Sequence, residues 1–319
     1  YVVPIAVGIK WFPDKKGVIT GLAVAGFGFG ATIWVKLADS WFGGLLNRAE
    51  VFDLPPVQSV FVIYGVAFAL LVMTGSLFMV NPPPGYRPDG WTPPPVASDH
   101  ASGVADYTAR EMLRRPEFYL LWTLFMFSAL AGLMVIYCIR LFGMDALSYH
   151  GVTNPALVAG TAMAWYAIFN GLGRIAWGAI SDRIGRRAAI IAMMTAQGLV
   201  MLAVYHGFIT FGSSTGFIVA AALIGFNFGG NFALFPAATA DYFGDRNVGV
   251  NYGWVFTAYG FAGIVGPQLA GLFRDAAGTS GTPIFWMAPF LIAAGMCLVG
   301  ALIMLFSHPA EPLQVAPVA

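Results

Sequence analysis

Charge is what this sequence has least of. Of its 319 residues, 10% are Asp, Glu, Lys or Arg, against about 25% in an average soluble chain. So few charges cannot make a hydrated surface, which excludes a water-soluble globular fold and leaves a polytopic membrane protein. Cysteine is scarce as well. Cys138 and Cys297 both lie inside apolar runs, which argues for buried thiols and against a disulfide framework or a CxxC centre. The four histidines, His100, His150, His206 and His308, fall in or near loops at spacings that suit no metal. No cofactor is therefore expected. The net charge of +1 includes no basic stripe of the kind that follows nucleic acid. No charged start followed by a cleavage site marks a signal peptide. Tyr1 opens in what reads as the tail of a span, so the chain is expected to be a fragment whose beginning lies upstream.

Long apolar runs are what the chain does have. A helix crossing a bilayer needs about 20 mostly apolar residues. By that measure nine segments read as spans: Tyr1–Phe12 (incomplete), Gly17–Leu37, Val57–Val80, Glu117–Arg140, Ala156–Ile180, Ala188–Phe208, Gly216–Ala240, Val250–Phe273 and Pro283–Ser307. Between the third and fourth lies 81–116, built around PPPGYRPDGWTPPP. Proline at that density cannot sit in a helix interior, so the stretch reads as an extended linker between residues 1–80 and 117–319. One side of the spans carries Lys10, Lys15, Lys16, Arg87, Arg110, Arg114, Arg115, Arg183, Arg186, Arg187 and Arg246, the other only Lys36, Arg48, Arg140 and Arg274. The excess marks the first side, with the linker and the C-terminus, as cytoplasmic, in an inner (cytoplasmic) membrane.

An internal repeat organises the spans. WFPDKKG at Trp11–Gly17 resembles YFGDRNVG at Tyr242–Gly249, with one residue inserted. Upstream, Pro4 matches Pro236; downstream, Gly17, Gly21, Gly28 and Phe29 match Gly249, Gly253, Gly260 and Phe261. The first two spans thus correspond to the seventh and eighth. Elements six apart in one orientation predict an all-α fold of two parallel six-helix bundles, with three helices expected before Tyr1.

The densest motif runs from Asn170 to Arg187, NGLGRIAWGAISDRIGRR. Gly178 and Gly185 suit close helix approach and a tight turn. Asp182 suits the positive N-terminus of another helix and is expected near Gly17 to Thr20. Arg183, Arg186 and Arg187 sit where cytoplasmic charge is favoured. This stretch resembles the loop signature of the major facilitator superfamily. With KWFPDKKGVITGLAVAGFGFGA, REMLRRPEFYLLW and NYGWVFTAYG, the chain is similar, more narrowly, to that superfamily's oxalate–formate antiporter family. The resemblance implies a transporter in which the SDRIGRR loop locks a conformation.

Arg174 is the candidate anchor for cargo. It lies eight residues before Asp182, or about 12 Å along a helix, near the middle of a core about 30 Å thick. An intramembrane arginine is costly and needs a partner. No acidic residue occurs within a turn of it, and Asp241, the clearest acidic residue of the spans, sits close to the cytoplasmic end. A substrate carboxylate fits the guanidinium bidentately, as the resemblance also implies. Asn170 lies one turn earlier on the same face and can add a hydrogen bond. Where the family's oxalate exchanger carries a lysine in TAKG, this chain reads TAYG, with Tyr259 at that position. One cation instead of two favours a monocarboxylate such as formate, acetate or lactate, and the phenol can still donate one bond. Phe228, Phe232 and Phe256 are candidate lining, where the family uses Trp and Tyr. Tyr166 joins them, with Tyr137, Asn227 and Asn231 as weaker candidates.

GSSTG at Gly212–Gly216 satisfies a hydrolase pattern but lacks the preceding strand, and GFGFG at Gly26–Gly30 lacks a dinucleotide fingerprint's spacing. These glycines, with Gly17/Gly21, Gly225/Gly229 and Gly249/Gly253, read as packing seams. No enzyme activity is expected. The reading is a monomeric secondary transporter exchanging small organic anions by alternating access. Exchange follows because a bare Arg174 in a closed, dry cavity would be costly. Proton–monocarboxylate symport and a non-transporting sensor on the same scaffold are the alternatives.

Overall fold

The computed structural model describes residues 1–39, 41–83, 85–88, 90, 106–277 and 286–306. Most of the Pro-rich linker (91–105), the start of the last expected span, the C-terminal stretch 307–319, and His100 and His308 lie outside the described residues. The helices are α1 (Val2–Trp11), α2 (Lys16–Asp39), α3 (Leu45–Arg48), α4 (Pro56–Ser76), α5 (Ala109–Met112), α6 (Pro116–Tyr149), α7 (Pro155–Ile184), α8 (Arg186–Phe211), α9 (Ser214–Phe243), α10 (Val248–Ala277) and α11 (Met287–Leu305). No strand occurs among the described residues. Seven of the helices are long and apolar enough to cross a membrane. The protein is an all-α membrane protein.

Local chemistry sets the helix ends. Pro56, Pro116 and Pro155 occupy first-turn positions, where a missing N–H costs nothing. Ser213 caps α9 by accepting from the Gly216 N–H at 3.1 Å. Gly185 and Gly244, both at φ 85, end α7 and α9, so two long helices stop on backbone that side chains resist. The fourth span was expected to end at Arg140, yet α6 continues to Tyr149. Arg140 lies on the exposed face of that helix while Ala146 and Leu147 stay buried. A charge on the outer face does not stop a helix whose other face keeps packing.

Helix α9 is the axis of the structure, buried from Phe217 to Phe243 at most positions. Its broadest interface is with α7, the next is that of α2 with α7, and α10 packs along α6. Backbone proximity holds the α7–α9 seam. A Cβ added at Gly173 would stand 2.0 Å from the Phe226 carbonyl oxygen, and one at Gly229 2.2 Å from that of Asn170. Without a hydrophobic force between helices in lipid, such close approach is what holds them together. The seam reading fits Gly17, Gly21, Gly225 and Gly229, but Gly26, Gly30 and Gly253 meet nothing within 4 Å among the described residues.

Candidate functional site

Two clusters emerge, one deep and one at the lysine- and arginine-rich end. The deep one is built on α7. Arg174 is 6% exposed, with Asn170 and Tyr166 stacked one and two turns before it on the same buried face. Its Nε and one terminal nitrogen both donate to Asn170 Oδ1, at 3.1 and 3.0 Å. Its other terminal nitrogen donates to the Val24 carbonyl of α2 at 2.8 Å. The guanidinium carbon lies 4.3 Å from the ring centre of Phe232 on α9, a cation–π contact. Among the described residues no carboxylate pairs with Arg174. The expected bare guanidinium is thus capped, but by neutral groups alone.

Aromatic rings continue from Phe232. Tyr259 meets it edge-on at 5.3 Å and stacks on Phe256 at 5.3 Å. Tyr1 stacks on Phe256 at 4.9 Å, and Tyr252 lies 5.6 Å below Phe256 on the same face of α10. Phe228 meets Phe232 at 5.5 Å and fills the space beside Gly132 of α6. The structure therefore brings Arg174, Asn170, Phe232, Tyr259, Phe256 and Phe228 together. The weaker candidates are otherwise engaged. Asn227 accepts from Trp177 Nε1 at 3.3 Å, Asn231 donates to the Phe228 carbonyl at 3.1 Å, and Tyr137 is exposed.

At the second cluster, the Asp182 carboxylate accepts from the Gly17 and Val18 N–H groups, each at 2.9 Å. This is the helix-N-terminus contact expected for it. Gly178 lets the chains meet, since a Cβ there would lie 2.2 Å from the Gly17 carbonyl oxygen. Arg186 bridges Asp182 at 2.7 Å and Asp241 at 2.8 Å and donates to Ser181. Lys16, 3% exposed, reaches Asp241 at 3.3 Å and Asp245 at 2.7 Å. Three acids and two bases thus join α2, α7, α8, α9 and the α9–α10 turn. Burial raises the Asp245 carboxyl above its ordinary value, and the nearby Lys16 ammonium opposes that. Arg183 is exposed and outside this network. Arg187 turns to the last carbonyls of α11, Met304 and Leu305, where a cation suits the helix C-terminus.

The sequence pattern of the Major Facilitator Superfamily matches residues 149–318, more than half the chain and both clusters' main helices. The chain belongs to the Major Facilitator Superfamily. Its similarities run along most of its length. It is 29% identical over 285 residues to the oxalate:formate antiporter of Oxalobacter formigenes, covering 89% of this chain and 60% of that protein. It is 27% identical over 264 residues to the uncharacterized MFS-type transporter YhjX of Escherichia coli K12, covering 83% and 59%. It is 28% identical over 301 residues to apicoplast pyruvate carrier 1 of Toxoplasma gondii, covering 80% and 53%. The chain spans less than two thirds of the length of each of these relatives. As a member of this superfamily it has the major facilitator fold, and no catalytic family is indicated.

Sequence reasoning missed Val24, Tyr1, Tyr252 and Lys16. Val24 acts through its backbone, which leaves no trace in residue type. Lys16 did carry a signal: it is a lysine directly before the glycine that opens α2, within the repeated WFPDKKG segment.

Proposed function

We propose that this protein moves small carboxylate anions across the cytoplasmic membrane by alternating access, exchanging one carboxylate for another. Residues 1–80 and 117–319 act as the two moving parts, and the linker 81–116 with the SDRIGRR loop lies on the cytoplasmic side. The carrying observation is Arg174, buried at the junction of α2, α7 and α9 with neutral acceptors and no acid. A carboxylate offers the guanidinium two charged acceptors in matching geometry, and charge-assisted pairs are about twice as strong as neutral ones. It therefore displaces the Val24 carbonyl, while Phe232, Phe256 and Tyr259 enclose the small remainder and Tyr259 donates to the second end of the anion.

One cation at the site suits a monocarboxylate. Dianions such as oxalate would leave one charge facing aromatic rings, at the cost of burying it unpaired. Two relatives, an oxalate:formate antiporter and an apicoplast pyruvate carrier, support the substrate class. Exchange is favoured over proton symport because Asp182, Asp241 and Asp245 are all held by bases away from Arg174. The test is tracer uptake into proteoliposomes carrying the full protein. Radiolabelled formate, acetate or lactate should accumulate faster when the lumen holds an unlabelled monocarboxylate, at equal pH inside and out. Uptake that ignores internal substrate but follows an imposed pH gradient would reject exchange, and no uptake of any of the three would reject the substrate class.

A further inference from the structure

Strict exchange requires that the carrier cannot cross empty. The usual physical reason is a site whose charge is unsatisfied without cargo. Arg174 does not meet that condition. Of its three hydrogen bonds, two go to Asn170 Oδ1, one turn away on the same helix. A residue four positions earlier on a helix moves rigidly with its partner, so this cap accompanies Arg174 through every orientation of the two halves. Phe232 adds its ring face at 4.3 Å, from the helix most broadly packed against α7. The third bond, to the Val24 carbonyl at 2.8 Å, differs in kind. Val24 belongs to α2, which lies in the other proposed half, so this bond forms only when α2 and α7 are closed together.

The seam around that bond is equally tight. Gly21, one turn before Val24, leaves no room for a Cβ, whose nearest atom would be the Arg174 carbonyl oxygen at 2.2 Å. The backbones of α2 and α7 thus touch at the depth of Arg174 itself, with no cargo needed to fill the space between them. From this geometry we infer that Asn170 and Val24 together stand in for the substrate carboxylate, so that the empty carrier closes and returns, and the protein sustains net carboxylate flux as well as exchange. This rests on Arg174 being the carboxylate anchor, and it adds an activity that the exchange reading does not contain. Substrate and the two neutral oxygens compete for one guanidinium: cargo displaces Val24, and Val24 reclaims the guanidinium on release.

The experiment compares two initial rates in one preparation of proteoliposomes loaded with labelled lactate, at equal pH, with potassium and valinomycin clamping the potential. One is efflux into lactate-free buffer; the other is efflux into buffer with saturating unlabelled lactate. Both come from the same vesicles, so folding and incorporation cancel in their ratio. The wild-type ratio, efflux into lactate-free buffer over efflux into lactate, is expected below one but no lower than about one third. Asn170→Leu removes two hydrogen bonds to a charged group and should lower the ratio at least tenfold. Asn170→Asp supplies a permanent carboxylate in place of the amide oxygen. It should hold the ratio at or above the wild-type value while weakening lactate affinity. A wild-type protein that exchanges lactate but releases almost none into lactate-free buffer would overturn the inference and leave the transport reading intact. So would an Asn170→Leu ratio equal to wild type. If lactate does not move under either condition, and neither formate nor acetate does, the transport reading itself fails.

Discussion

In the proposed site, Tyr259 is the residue that would set the charge of the substrate. It stands one edge-on ring contact from Phe232 and hence from Arg174. Substituting Tyr259→Lys places a second cation across the site, and should raise affinity for oxalate about tenfold relative to lactate. Competition of unlabelled oxalate against labelled lactate measures this; an unchanged ratio would remove Tyr259 from the site. Arg174 stood out in the sequence because a lone charge in an apolar run is a statement about a side chain, whereas Tyr259 was singled out by the resemblance, as TAYG in place of TAKG. Val24 was not legible. Its contribution is a carbonyl oxygen, and every residue has one. The aromatic candidates divided the same way. Phe232 and Phe256 face Arg174 and Tyr259, whereas Phe228 mainly fills the gap left by Gly132, a packing role that spacing alone cannot separate from lining.

Among elements, the α7–α9 and α2–α7 seams do the positioning. Gly229→Ala would force a Cβ to within 2.2 Å of the Asn170 carbonyl oxygen, on a helix backbone that cannot yield alone. A loss of about 1–3 kcal/mol is expected for such overpacking, seen as a lower thermal midpoint for the purified protein. Gly26→Ala meets nothing within 4 Å and should be neutral or slightly stabilising, because alanine favours helix over glycine. Equal midpoints for the two variants would contradict the seam account. Small-residue spacing showed that seams exist, yet Gly26 and Gly30 meet no neighbour among the described residues. Which side of a helix meets a neighbour depends on partners distant in sequence. The Asp182 contact is a sharper case. The SDRIGRR pattern pointed to a helix N-terminus, and the carboxylate is found on the Gly17 and Val18 N–H groups. Asp182→Asn leaves the amide nitrogen unable to accept and frees Arg186 from one partner, so the closed arrangement at that end should weaken. A cysteine at Thr20, fully buried in the closed structure, should then react about tenfold faster with a membrane-impermeant maleimide, given about 1.5–3 kcal/mol per charged bond. Unaltered labelling would show that Asp182 does not hold this end shut.

At the scale of the whole molecule, hydropathy alone located every long helix, since lipid permits few alternatives to a fully hydrogen-bonded apolar helix. The ends were less legible. Helix α6 outran its expected limit because an outward-facing arginine does not stop a helix whose inner face stays buried. The joining of charges at the basic end was also beyond the sequence. Lys16 and Asp245 lie 229 residues apart and meet only because the start of α2 and the turn after α9 fold to the same end. The central proposal is that one buried guanidinium, held between neutral oxygens, is where cargo binds. The most direct test is equilibrium binding of lactate to the detergent-purified full protein by isothermal titration calorimetry, comparing wild type with Arg174→Gln at matched thermal midpoints. Loss of the charge-assisted pair should weaken binding by at least a hundredfold, about 2.7 kcal/mol. Lactate affinity within threefold of wild type in a folded Arg174→Gln protein would contradict the account.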